Sequence, residues 1–93
     1  MWVRIQELSF APDLADSVIE KIRDTAVTRY EGESHRGFRL LMDRPNGKAL
    51  DVSYWDSCEG AHSTINPESA DRVRALGATA GVTNYYELAI DGV

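Results

Sequence analysis

The sequence predicts an α+β fold of the ferredoxin-like split β-α-β-β-α-β plan, a four-stranded antiparallel sheet with its helices on one face. Three observations predict it. An alternating opening run leads into a proline-started helical stripe, two alternating runs in the middle are joined by Arg44-Pro45-Asn46-Gly47, and a second helical segment precedes a last alternating run. Right-handed crossovers put both helical segments on the same side of the sheet, so this chain leaves the other side uncovered.

Residues 2–10, WVRIQELSF, are rich in β-branched and aromatic types, with Val3 and Ile5 on one parity and Trp2, Arg4, Gln6, Leu8 and Phe10 on the other. This pattern predicts a strand that is partly apolar on both faces. Pro12 suits the first position of a helix because it has no amide hydrogen to leave unpaired, and Asp13 and Asp16 complement the positive end of the helix dipole. Leu14, Val18, Ile22 and Ala26, with Ala15 and Ile19 beside them, then recur at three- and four-residue spacing as one apolar stripe. Gly32 follows as a left-handed cap.

Gly37–Asp43 and Lys48–Trp55 alternate in the period of strands, and proline followed by Asn-Gly between them favours a tight reversal, so the pair predicts an antiparallel hairpin. In the simplest register Phe38, Leu40 and Met42 share a face with Leu50, Val52 and Tyr54. Asp56 or Ser57 caps the next helix, and Asp56 with Glu59 resembles a capping box. Cys58, Ala61, His62 and Ile65 follow the helical template, which places His62 on a buried stripe. Asn66-Pro67 is a second start signal, and the helix it opens carries Ala70, Val73 and Leu76 before Gly77. Residues 77–81 read as a small, flexible connection, and Val82–Ile90 as the fourth strand.

The 93 residues make one domain, able to bury roughly two-thirds of the surface that the unfolded chain exposes. With 15 acidic and 10 basic residues the net charge is -5, which argues against nucleic acid and anionic membranes as partners. One cysteine forms no internal disulfide, and His35 and His62 lack the spacing of paired ligands on a helix, so neither a metal nor a cofactor is implied. No stretch approaches the roughly 18 apolar residues of a membrane span, and nothing at the N-terminus reads as a signal, so a soluble cytoplasmic protein is expected. Large apolar side chains fall on both parities of the strands, and an uncovered apolar face normally marks an interface. A homodimer with facing sheets is therefore expected.

The chain resembles the dimeric α/β barrel proteins of the antibiotic biosynthesis monooxygenase type. The resemblance runs through Phe10–Asp13, the Gly37–Gly47 hairpin with its Asp43-Arg44-Pro45-Asn46-Gly47 turn, Tyr54–Gly60, Glu68–Arg74 and Tyr85–Leu88. It implies a cofactor-independent monooxygenase acting on, or a protein binding, a small aromatic or polyketide-like molecule. The alternative is a homodimeric ligand-binding or interaction module without turnover. Haem-degrading relatives pair a first-strand asparagine with a tryptophan near the end of the third strand and a downstream histidine; here Trp55 matches the tryptophan, but the first-strand amide is Gln6 and His62 is closer to Trp55 than that histidine. Quinone-forming relatives surround an aromatic substrate with tyrosine, tryptophan, asparagine and arginine, types that Arg39, Trp55, Asn84, Tyr85 and Tyr86 supply.

The candidate catalytic residues are thus Trp55, His62 and Gln6, and the candidate ligand-binding residues Arg39 and Tyr86. Each has a structural counterpart reading. Trp55 either stacks on a planar substrate or packs where the third strand enters a helix. His62 is either a general base near neutrality or a satisfied core residue, and Cys58 either a nucleophile or a small apolar filler. Arg4, Gln6, Arg39, Asp51, Ser53 and Glu87 share Trp55's parity and either line a cavity or form cross-strand ion pairs such as Arg4 with Glu87 and Arg39 with Asp51.

Overall fold

Strand β1 (Trp2–Ser9) occupies the middle of the sheet, because the chain leaves it through a helix and returns to it twice. A computed structural model describes residues 1–29, 34–63 and 68–92. Pro12–Leu14 form one turn of 3-10 helix, with Leu14 N–H donating to the Ala11 carbonyl at 2.8 Å, and α1 (Ala15–Arg29) continues from it. The hairpin is β2 (His35–Asp43) and β3 (Lys48–Trp55); α2 (Cys58–Ser63), α3 (Glu68–Ala75) and β4 (Thr79–Glu87) complete the order. The strands lie in the order β2-β3-β1-β4, all antiparallel, with the helices on one face. This is the expected α+β architecture. Gly32 and the Asn66-Pro67 start signal fall outside the described residues.

The register arranges the helix-covered face as four rows running across the sheet. Met42, Ala49, Leu8 and Ala80 form the first; Leu40, Asp51, Gln6 and Thr83 the second; Phe38, Ser53, Arg4 and Tyr85 the third; His35, Trp55, Trp2 and Glu87 the fourth. Val18 and Ile22 of α1 and Val73 and Leu76 at the end of α3 pack on Leu8 and Ala49, with Phe38, Leu40 and Met42 against them. A second, smaller cluster joins Trp55 to Ala61 of α2, with Trp2, Phe38 and Tyr85 beside it. Burial of such side chains contributes on the order of 1.5–3 kcal/mol each, so these two clusters hold the helices down.

The hairpin register corrects the pairing expected from parity. A four-residue turn, Arg44–Gly47, is closed by Asp43 opposite Lys48, and an even-length turn sets even-numbered residues of β2 beside odd-numbered residues of β3. Phe38, Leu40 and Met42 therefore share the helix-covered face with Trp55 and Ser53, whereas Arg39 and Leu41 lie with Val52 and Leu50 on the other. Gly47 is left-handed (φ +62°) and its carbonyl accepts from Phe10 N–H at 2.9 Å, tying the turn to the end of β1.

Two element ends also differ from expectation. Strand β4 begins at Thr79 rather than Val82, because Thr79 and Ala80 pair with Ser9 and Leu8 across a bulge, and a central strand needs partners along its whole length. It ends at Glu87, with Leu88 adding one bond to the Met1 carbonyl at 2.9 Å. The cap of α2 is Ser57, whose Oγ accepts from Gly60 N–H at 3.0 Å. Asp56 is instead held by Arg36, whose Nε donates to it at 2.8 Å, so no capping box forms from Asp56 and Glu59.

Candidate active site

The second and third rows place polar side chains where helix packing makes burial expensive. Arg4, Asp51 and Ser53 are 6 %, 4 % and 1 % exposed, in the middle of a face whose two ends are apolar. A buried charge is tolerated only with close compensation, and a polar belt inside a small domain is a placement that packing alone does not favour. Arg4 Nη1 donates to the Ala61 carbonyl at 3.1 Å, and its guanidinium lies 5.1 Å from the centroid of the Trp55 ring. One strand register thus brings the cation, the indole and helix α2 together.

Trp55 is 3 % exposed, and every part of it is engaged. Arg4 covers a face, His35 meets it edge-on at 5.1 Å with 65° between the rings, and its Nε1–H donates to Ser53 Oγ at 2.9 Å. In this chain Trp55 packs where β3 enters α2 and supports Arg4. Among the described residues a groove of about 380 Å³ opens at the hairpin end, lined by Glu7, Leu41, Asp43, Leu50 and Gly81 among others, and Trp55 is not part of its lining.

His62 departs from its expected place on a buried stripe. The short helix buries Ala61 completely against the sheet, whereas the next residue, His62, is exposed. Its ring is nevertheless held. It lies flat on Tyr85, with centroids 3.6 Å apart and 17° between planes, and Nδ1 is 2.7 Å from the Cys58 carbonyl oxygen. A carbonyl only accepts, so Nδ1 carries the proton in this contact and Nε2 is the nitrogen left outside it. Cys58 Sγ sits 3.5 Å from the same nitrogen. An imidazole with one nitrogen committed to a backbone acceptor is the usual arrangement of an oriented base.

The other candidates separate into two groups. Gln6 is half-buried on the helix-covered face, between Asp51 and Thr83, one row from Arg4. Arg39 and Tyr86 lie on the opposite face: Arg39 is opposite Val52 and donates to the Tyr54 hydroxyl at 3.0 Å, and Tyr86 is opposite Val3. The register therefore places Arg39 away from Asp51 and sets Tyr85, rather than Glu87, opposite Arg4, so neither expected ion pair is formed across the strands. Tyr85 was named beside Tyr86 as one aromatic type among several without being singled out, and His35 was weighed only as a metal ligand. Tyr85 was indistinguishable from Tyr86 in an alternating run, and His35 reaches the site through a bulge between His35 and Gly37.

Two titrating groups border Arg4. Burial pushes the Tyr85 phenol above its ordinary value, against the opposing pull of the Arg4 cation, so the hydroxyl stays protonated at neutral pH. Burial lowers His35 below 6.5, assisted by the charges of Arg4 and Arg36 and opposed by a hydrogen bond with the Gly37 backbone and by Asp51. The folded protein therefore binds this proton less readily than the unfolded chain. The resulting contribution to stability is fully present above about 6.5 and is lost as pH falls from there through the lower folded value. Urea midpoints measured from pH 7.5 to 5.5 should fall with pH in the wild type, and His35→Gln should flatten that slope.

Comparison with known proteins supports the fold. No family model matches the chain, and no curated protein matches it by sequence. Among solved structures, a candidate antibiotic biosynthesis monooxygenase from Deinococcus radiodurans superposes with a TM-score of 0.71 at 18 % identity, over 100 % of this chain and 96 % of that one. SnoaB, a cofactor-independent oxygenase from Streptomyces nogalater, gives 0.71 at 12 % identity over 97 % and 94 %. A candidate antibiotic biosynthesis monooxygenase from Chloroflexus aurantiacus gives 0.64 at 16 % over 99 % and 95 %. The chain has the fold of the antibiotic biosynthesis monooxygenase-like proteins.

Proposed function

We propose that this protein is a cofactor-independent monooxygenase of small aromatic or polyketide-like molecules, working as a single-domain homodimer in the cytoplasm. The observation that carries the reading is His62, an exposed imidazole with Nδ1 committed to a backbone carbonyl and Nε2 available, one residue from the carbonyl that anchors the buried Arg4. Nε2 takes a proton from an activated C–H of the substrate. The Arg4 charge, fixed in advance and shielded from water, stabilises the carbanion that remains; the carbanion adds dioxygen, the peroxide takes the proton back from His62, and the hydroperoxide loses water as its O–O bond breaks to leave a ketone. Gln6 lies on the same covered face and orients the substrate's oxygen atoms. The fold shared with SnoaB supports this assignment of reaction type.

An oxygen electrode tests it directly. With an anthrone-type substrate the wild type should consume dioxygen, and His62→Gln, at an exposed position, should stay folded while its kcat falls roughly 10²-fold. Equal rates in the two proteins would remove His62 from the mechanism.

A second reading is a ligand-binding module without turnover. The enclosure of Trp55 favours it, since an indole already covered by Arg4 and His35 has no face to offer a substrate. Saturable binding of the anthrone with no oxygen uptake by any variant would establish that reading. The dimer rests on the helix-free face, where Leu41 and Tyr86 are 51 % and 52 % exposed beside Val3 and Val52. Sedimentation at micromolar concentration should give twice the chain mass of 10.3 kDa.

A further inference from the structure

We infer that Tyr85 is a positioning residue for His62, holding the imidazole in the one orientation and tautomer that leave Nε2 as the proton acceptor. The inference rests on the reading of His62 as that acceptor and extends it to the residue that makes it one.

The argument starts from what helix α2 does not supply. His62 is exposed on a helix of six residues, and an exposed side chain at such a position ordinarily samples several rotamers. The tautomer is also unusual, because histidine in water favours the proton on Nε2. A contact with the Cys58 carbonyl at 2.7 Å selects Nδ1–H, but only while the ring stays turned toward its own helix. Tyr85 supplies that restraint. Its ring lies nearly parallel to the imidazole at 3.6 Å and covers one of its faces.

Tyr85 is itself fixed from below. It stands opposite Arg4 in the strand register and packs on the Trp55–Ala61 cluster, so its position is set by the sheet rather than by α2. His62 is therefore gripped between its own helix backbone and a ring belonging to another element. The electron-rich face of the phenol also suits the cation formed when the imidazole takes up a proton. The hydroxyl has no part in this grip; the ring face does. That distinction makes the role testable.

Nitrogen-15 NMR of the His62 ring reads the tautomer without reference to turnover. In the wild type Nδ1 should carry the proton, and Tyr85→Phe, which keeps the ring, should preserve that pattern and keep kcat within about twofold. Tyr85→Ala and Tyr85→Leu should shift the proton predominantly to Nε2 and lower kcat roughly tenfold with little change in KM. The leucine variant fills most of the same volume and keeps the test open where alanine unfolds the edge of the sheet. Retention of the Nδ1–H form in the folded leucine variant would overturn the inference, whatever happened to the rate. The expected NMR pattern in a protein that consumes no oxygen would instead uphold the positioning role and defeat the monooxygenase reading.

Discussion

Replacing Trp55 by alanine should cost about 3–5 kcal/mol of stability, the usual cost of removing a large aromatic side chain from a core. The side chain is 3 % exposed and is the centre of the smaller cluster, against Ala61 and with Trp2, Phe38 and Tyr85 around it. Its loss also strips Arg4 of the ring it lies on and leaves a buried cation beside a void. Domains of this size hold only about 5–15 kcal/mol in reserve, so a melting temperature lower by roughly 15 °C or more is expected. Trp55→Phe keeps the ring and loses the bond to Ser53 Oγ, which should cost about 1–2 kcal/mol. Phenylalanine is consequently the variant for activity measurements, because alanine confounds the site with the fold. An alanine variant melting with the wild type would show that the cluster does not hold α2 to the sheet.

Gly47→Ala should cost about 2–4 kcal/mol, more than any other substitution in a turn. Two effects add there. The residue is left-handed at φ +62°, which a side chain tolerates at about 1 kcal/mol, and a Cβ at this position overlaps the Phe10 carbonyl oxygen. That neighbour is backbone, so only a shift of the turn relieves it, at the expense of the Phe10–Gly47 hydrogen bond. Gly77 separates the two effects. It is also left-handed, at φ +81°, but among the described residues a Cβ there meets Leu14 Cδ1 alone, at 3.9 Å. Gly77→Ala should therefore cost about 1 kcal/mol. Asparagine, which accepts left-handed backbone, should rescue position 77 and not position 47. Urea midpoints of the four variants decide it; rescue at both positions would mean that backbone strain, and not the clash, governs the turn.

The architecture was largely legible in the chain. Pro12, the Val18–Ile22 stripe, the Arg44–Gly47 reversal and the Gly77 stop are local signals, each acting within a few residues, and local physics makes the corresponding elements. The site was less so. Trp55, His62 and Gln6 lie on or beside the covered face, but His62 is exposed rather than buried, and Arg39 and Tyr86 lie across the sheet from the others. Arg4 and Tyr85 share a row that no local pattern announces, since their neighbourhood depends on how β1 pairs with β4.

By itself the sequence determined which residues form strands, which form helices, and that both faces of the sheet carry apolar side chains. Only the tertiary structure decided which face the helices cover. The alternation was apolar on both parities, so burial had no unique solution until the even-length turn paired Asp43 with Lys48 and brought Phe38, Leu40 and Met42 beside Trp55. That one-residue choice of register gathers Phe38, Ser53, Arg4 and Tyr85 in a single row and sends Arg39 to the far side. Side chains alternate with a period of two along a strand, so a register shifted by one residue exchanges the faces of a whole strand.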